Sequence, residues 1–289
     1  MSTPQNSGRE HPSTYIVQDR SNEEELKRLQ IQDHMITASM GGVLPEQQDP
    51  AIFRRVLDVG CGTGAWLIEM AKTYPGPSTL VGIDVSSKMV TYARAQAEAR
   101  GVGDRVQFHV MDALSMLQFP DGFFDLVNQR FGMSYLRTWD WPKLLGEYHR
   151  VLKRGGMVRV TESDMVTESS SSTLLQLTRL LFEAFCQAGH FFTPNPNGVT
   201  SGLVRVLQQA DFRDIHTHPH AIEYRAGTAE GQAFAQDMQH LFRTIVPYLR
   251  KWTRIPDNYE ELYQQALNEI QQPDFVAIWR LLTAWGMKR

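Results

Sequence analysis

The stretch Leu57 to Gly64, LDVGCGTG, limits what this 289-residue chain can fold into more than any other feature. It grows out of Arg55 to Gly60 (RVLDVG), a short apolar run of the kind found in buried parallel strands. It runs into Ala65 to Thr73, a helical pattern ended by Tyr74-Pro75-Gly76. A strand that turns on closely spaced glycines into a helix presents backbone N–H groups at the helix N-terminus and lets a ligand approach the main chain closely. The spacing narrows the ligand. Gly60, Gly62 and Gly64 make G-x-G-x-G, whereas dinucleotide-binding turns need G-x-G-x-x-G. Asp58, two residues ahead of the glycines, repels a pyrophosphate but can pair with a cationic amine, directly or through water.

The strand-helix alternation continues. Thr79 to Val85 reads as a second strand, and a helix follows from Ser86 to Gly101. Arg105 to Val110 is a third strand, and Phe124 to Gln129 a fourth. A helix over Trp141 to Leu152 closes at Gly155-Gly156, and Met157 to Glu162 is a fifth strand. Such βαβ units predict a doubly wound α/β domain with a mostly parallel sheet and helices on both faces. Beyond it the spacing breaks. Ser169 to Thr173 is a polar cap for an apolar helix, Leu174 to Ala188, and a second helix covers Leu203 to Gln209. Phe212 to Tyr224 reads as a sixth strand or a strand pair. Two long helices are expected over Ala229 to Lys251 and Tyr259 to Gln271. Phe275 to Trp285 suits helix or strand by pattern; a seventh strand would complete the sheet, so strand is expected. Ahead of the sheet, Ser21 to Glu24 is a capping box whose helix runs to about Ser39 and stops at Gly41-Gly42. The organisation expected is an N-terminal arm and lid helix over 1–50, a cofactor-binding core over 51–165, and cap helices with the closing strands over 166–289.

Ligands of open α/β sheets bind at the C-terminal ends of the strands. Asp84 ends the second strand, where a carboxylate can accept both hydroxyls of a ribose. Asp112 ends the third and can accept from an adenine amine, with Met111 and Ala113 or Met89 against the ring. The reacting site should lie past the fourth strand, at Asn128, Gln129, Arg130, Phe131 and Tyr135, with Glu162 and Asp164 on the same rim. Asn128 and Gln129 are placed to offer backbone carbonyls. Arg130, Tyr135 and Glu162 are the catalytic candidates, with no base singled out.

LDVGCGTG, GIDVS and the strand-end Met111-Asp112, together with FPDGFFDLVNQRF and RVLKRGGMV, resemble the motifs of class I S-adenosylmethionine-dependent methyltransferases. The resemblance covers about Arg54 to Glu162. It implies a seven-stranded sheet with the last strand antiparallel, S-adenosylmethionine as cofactor and S-adenosylhomocysteine as product. The cofactor site it implies comprises Tyr15, Asp58, Gly60, Cys61, Gly62, Thr63, Gly64, Asp84, Val85, Met89, Met111, Asp112, Ala113, Asn128 and Gln129. YIVQDRSNEEELKRLQIQDH from Tyr15, Gly41 to Leu44 and Asp140-Trp141-Pro142 are similar to a narrower group, the methyltransferases of fungal secondary metabolism and the teleocidin C-methyltransferase. That likeness makes Tyr15 a lid residue and implies that the N-terminal segment folds over the cofactor or joins subunits.

A net charge of −3 gives no electrostatic reason for a nucleic-acid partner. NQRF stands where base-methylating enzymes carry an NPPY-type motif. The aromatic stretch Phe182, Phe185, Phe191, Phe192 suits an apolar small-molecule pocket. The expected function is therefore methylation of a small molecule, such as a secondary metabolite, on oxygen, nitrogen or carbon. The alternatives are a cofactor-binding regulator acting through protein partners and a protein methyltransferase. An NAD-dependent dehydrogenase is disfavoured by the glycine spacing. His216, His218 and His220 alternate on one strand, but they are strung out along it and Pro219 interrupts, so a solvated face is expected and no metal. Two cysteines, no membrane-length apolar run and a polar start without an apolar core, Met1 to Ser13, point to the cytoplasm.

Overall fold

The computed structural model describes residues 15–16 and 23–289; the polar start and Ser21 of the capping box lie outside the described residues. The elements run α1 (Glu23–Ser39), β1 (Arg55–Val59), α2 (Ala65–Thr73), β2 (Thr79–Asp84), α3 (Ser87–Ala99), β3 (Val106–Val110), β4 (Phe124–Arg130), α4 (Trp141–Val151) and β5 (Leu152–Ser163). They continue with β6 (Glu168–Ser169), α5 (Ser172–Ala188), α6 (Leu203–Gln209), β7 (Phe212–Arg225), α7 (Ala229–Thr244), α8 (Val246–Trp252), α9 (Tyr259–Ile270) and β8 (Val276–Lys288). One sheet of eight strands holds them, ordered β3-β2-β1-β4-β5-β8 with β6 and β7 both pairing β8. β1 to β5 are parallel and β8 runs antiparallel to β5. This is the doubly wound, mostly parallel fold that the alternation predicts; the eighth strand is the two-residue β6, too short to leave a pattern.

The parallel strands are apolar on both sides because helices cover both faces. Val56, Leu80, Leu126 and Met157 pack with Trp66 and Ile68 of α2 on one face. Leu57, Val127, Val158 and Val160 pack with Trp141, Leu144 and Tyr148 of α4 on the other. The closing strand runs on to Lys288, three residues past the expected end, and two other boundaries differ more in kind. The fifth strand starts at Leu152, not Met157, and Gly155-Gly156 sit inside it, where the pairing with β4 slips between Phe124 and Leu126; they serve a bulge, not a stop. The helix expected over Ala229 to Lys251 is two, α7 and α8, because Pro247 lacks an N–H and fits only the first turn of a new helix.

α1 is built into the body of the molecule. Met35 and Ile36 are buried in the larger core. Arg28, fully buried, reaches Glu25 at 2.7 Å on its own helix and Asp237 of α7 at 3.1 Å. Asp33 pairs with Arg130 at the end of β4. Beyond the helix, Trp66 Nε1 donates to the carbonyl of Val43 at 3.0 Å. The sheet does not need α1 for its topology, but the core does. Ile36→Ala should therefore lower the free energy of unfolding by about 2–5 kcal/mol, the cost of a large-to-small change at a closed site, as read by denaturant titration. A loss under about 1 kcal/mol would mean that α1 packs loosely.

Candidate functional site

The C-terminal ends of the central strands open into a cavity of about 320 Å³ whose opposite wall is α1 with Tyr15 and Ile16. The glycine loop forms its floor. Gly60, Gly62 and Gly64 have φ of 68°, 52° and 74°, a left-handed backbone that side chains oppose. Two of them also sit against rings: a Cβ on Gly60 would lie 2.8 Å from the Tyr135 hydroxyl oxygen, and one on Gly64 2.7 Å from the ring of Phe108. Asp84 knits the loop to the next helix, since its carboxylate accepts from the N–H of Gly62 at 3.1 Å and of Ser86 at 2.8 Å. Asp112 is held in a turn by the N–H of Leu114 at 2.9 Å and the Ser115 hydroxyl at 3.2 Å.

Asp58 enters this floor from β1, almost wholly buried, and accepts from Asn128 Nδ2 at 2.7 Å. Burial pushes its carboxyl up to about 7, against the pull of Arg130, Asn128 and Arg159. A carboxylate strained in this way gains most from a cation brought beside it.

Most residues singled out from sequence meet here. Tyr15, Asp58, Gly60, Cys61, Gly62, Thr63, Asp84, Val85, Met89, Met111, Asp112 and Ala113 line the cavity, as do Arg130 and Tyr135. Gly64, Asn128, Gln129 and Glu162 are not in its wall. Gly64 lies against Phe108. β4 is buried between β1 and β5, so its polar side chains are answered inside the protein. Gln129 accepts from the Tyr148 hydroxyl at 2.6 Å and donates to Glu162 at 3.3 Å. Glu162, fully buried and pushed by burial up to about 8, accepts from the N–H of Met133 at 3.2 Å. It props the turn Gly132–Ser134 from beneath. Arg130 is engaged by Asp33 and donates to the Thr37 hydroxyl at 3.1 Å, so it ties the sheet to α1. The Tyr15 hydroxyl donates to Glu25 at 2.6 Å.

The far half of the cavity is apolar, with Leu29, Met133, Leu181, Met238, Leu241 and Trp279 in its wall. Of the aromatic stretch only Phe185 reaches it; Phe182 packs on Phe191 and Phe192 on Trp141. α7 and β8 supply residues that sequence alone does not mark, beyond the i,i+3 spacing of Met238 and Leu241. Asp164 also stands in this wall, accepts from the Thr200 hydroxyl, and is shifted upward by burial. His216 stacks on Trp285 at 5.7 Å and His218 neighbours His220. No group of three or more metal-ligating side chains exists among the described residues, and no helix among them is long and apolar enough to cross a membrane.

A family model described as a methyltransferase domain matches residues 56–156. The chain is similar to demethylmenaquinone methyltransferase of Lactiplantibacillus plantarum, 31% identical over 171 residues that cover 56% of this chain and 71% of that one. It is 42% identical over 109 residues to the Thermus thermophilus protein of the same name, covering 38% and 47%; the chain thus spans about half the length of that relative. The structure of Haemonchus contortus phosphoethanolamine N-methyltransferase 2 in complex with S-adenosyl-L-methionine superposes with a TM-score of 0.56 at 18% identity, covering 96% of this chain and 60% of that one. The strand order and the glycine loop define an open α/β protein with its cavity at the strand ends. The chain belongs to the class I S-adenosylmethionine-dependent methyltransferases.

Asp58 keeps its proton to a higher pH folded than unfolded, where about 4 is usual. Its ionisation therefore costs stability that is absent at low pH, grows as pH rises from about 4, and is complete above about 7. Asp58→Asn should raise the thermal midpoint of the cofactor-free protein by several degrees at about pH 8 and leave it unchanged at about pH 4. Equal midpoints at the higher pH would show that Asp58 ionises without cost.

Proposed function

We propose that this chain is an enzyme that transfers a methyl group from S-adenosylmethionine to an apolar small molecule. One observation carries the reading: a single cavity joins the glycine loop and its acidic side chains to an apolar chamber walled by α1, α5, α7 and β8. When bound, the cofactor supplies an electrophilic methyl group on a sulfonium. The chain's residues do the rest. Asp58 receives the cationic amine, Asp84 the ribose hydroxyls, and Asp112 the adenine amine, with Met89, Met111 and Ala113 beside the ring. Thr63, Cys61 and Val85 complete that half, and Tyr15 closes it from above. Such a transfer needs chiefly that nucleophile and methyl be held in line, out of water. The enclosed apolar chamber suits both. Asp164, raised by burial, is the wall carboxylate suited to take a proton from an acidic acceptor.

The names of the two relatives support a ring-bearing, quinone-like acceptor. The narrower likeness to fungal and teleocidin-type enzymes rests mainly on residues 15–34 and Gly41 to Leu44, outside the matched 56–156, with residues 140–142 inside it; it supports a secondary metabolite within the same chemical class. The reading assigns 1–50 to the lid, 51–165 to the cofactor core and 166–289 to the cap with the closing strands. It places the enzyme in the cytoplasm and the contact between any two copies at the lid.

Calorimetry with S-adenosylhomocysteine and with NAD, followed by transfer of a labelled methyl group to a panel of apolar phenols, quinols and amines, tests the proposal. Micromolar binding of the first, none of NAD, and label on an acceptor are expected. Binding without transfer to any acceptor would favour a regulator, and binding of NAD alone would overturn the reading. Asp84→Ala should weaken S-adenosylhomocysteine by about 1–3 kcal/mol with the fold retained, since it removes hydrogen bonds to a charged group. An unchanged dissociation constant would take Asp84 out of the ribose role.

A further inference from the structure

Arg159 lies in the middle of β5, 1% exposed, where a charge is costly unless it is answered within the protein. Its guanidinium serves two acceptors. Nη1 donates to Asn128 Oδ1 at 2.9 Å, while Nε and Nη2 donate to the two oxygens of Glu46 at 2.6 and 3.3 Å. Glu46 comes from the loop that follows α1, and its side chain is 2% exposed. An arginine can only donate, so Asn128 must turn its carbonyl oxygen to Arg159 and its amide nitrogen away. That nitrogen donates to Asp58 Oδ1 at 2.7 Å. The pairing of the strands puts Asp58 opposite Asn128 and Asn128 opposite Arg159, so the three side chains form one row on one face of the sheet. Each link is fixed by its neighbour, from a group that cannot accept to a carboxylate that, ionised, cannot donate.

We infer that Arg159, oriented by Glu46, is a positioning residue for cofactor binding: through Asn128 it holds Asp58 in the orientation and ionised form that receives the cofactor's amine, and so ties that carboxylate to the loop behind the lid helix. The inference rests on the reading of the cavity as an S-adenosylmethionine site. Other charges reach Asp58 as well. Arg130 of β4 favours its ionised form and Asp33 of α1 opposes it, while Cys61, Tyr135 and Tyr148 are themselves pushed upward in part by Asp58. Cys61 and Tyr135 also feel Asp84, and Tyr135 and Tyr148 feel Glu162. At the other end Tyr74 and His220 feel Glu46, and His220 feels Arg159. The members of the ion pair Arg159–Glu46, like those of Arg130–Asp33, can be neutralised with opposite consequences for Asp58, but Arg159 also fixes the amide of Asn128 that donates to it. Glu46→Gln leaves Arg159 an acceptor but no countercharge, and the bare cation favours ionised Asp58. Arg159→Gln leaves Glu46 behind and releases the amide of Asn128, and both effects favour protonated Asp58.

The test is the pH dependence of S-adenosylhomocysteine binding by the full chain, measured by calorimetry from about pH 5 to about pH 8.5, around the range in which Asp58 titrates. Affinity in the unaltered protein should fall toward tenfold per pH unit below the midpoint, because only ionised Asp58 pairs with the amine. The midpoint should move down in Glu46→Gln, up in Arg159→Gln, and back toward the original in the double variant. Midpoints that do not move, or that both move the same way, overturn the inference, since a merely structural pair would change affinity at every pH alike. If Arg159→Gln does not fold, as judged by circular dichroism, Glu46→Gln decides alone: a midpoint unmoved or raised overturns the inference. No binding by the unaltered protein at any pH overturns the underlying functional reading instead.

Discussion

The structure turns on a charge placed where a sheet has no room for one. Arg159 is closed in by strands on both sides, and three pieces of chain far apart in sequence must converge to answer it: Asn128 of β4, Asp58 behind it on β1, and Glu46 of the loop after α1. Leaving such a charge without one partner costs about 3–5 kcal/mol, so the loop is held nearly as firmly as the strands. The row does not stop at the charge. Trp285 of β8 lies opposite Arg159, and His216 of β7 lies opposite Trp285 and stacks on it. The polar half of the row thus serves the cavity, and its aromatic half aligns the antiparallel strands.

The two sides of the cavity are held by different forces. The floor is backbone: three glycines in left-handed conformation and a carboxylate that binds loop and helix together. The roof is side chains, with Arg28 spanning from Glu25 to Asp237 and Arg130 gripping Asp33. The floor therefore keeps its shape through the strands, while the roof keeps its shape only while its buried charges stay paired. Asp58 stands between them, ionisable yet buried. A ligand bearing a positive charge relieves that conflict, which is how a site comes to prefer one ligand chemistry over another without added contacts.

What sequence made legible was local. The glycine loop, Asp84 and Asp112 at strand ends, and the strand-helix alternation all depend on neighbours within a few residues, and all stand where the pattern put them. What it hid was the answer to each buried polar group. Arg28 and Asp237 are separated by 209 positions, and Arg159 and Glu46 by 113; no periodicity links them. From sequence Asn128 and Gln129 are read as offering backbone carbonyls and Glu162 as a carboxylate on the site's rim; the polar side chains of all three are a separate matter that the sequence leaves open. Their partners lie inside the fold, so they brace the site from behind. Pro247 was visible all along, but the amphipathic pattern on either side of it runs on through the break.

The position of β8 bears on how the molecule is made. It lies between β5 and β7, yet it is synthesised after both, so every newly made chain passes through an interval in which the parallel half of the sheet ends in a bare edge. An open, largely apolar edge strand is a template for pairing with another chain. During that interval the risk of misassembly depends on how quickly β8 arrives and docks, and the stability of the finished sheet offers no protection. For this fold the order of elements along the chain is thus itself a determinant of yield: an interior stave of the sheet is supplied after its neighbours, and the ribosome and the cell's chaperones set how long the gap stays open.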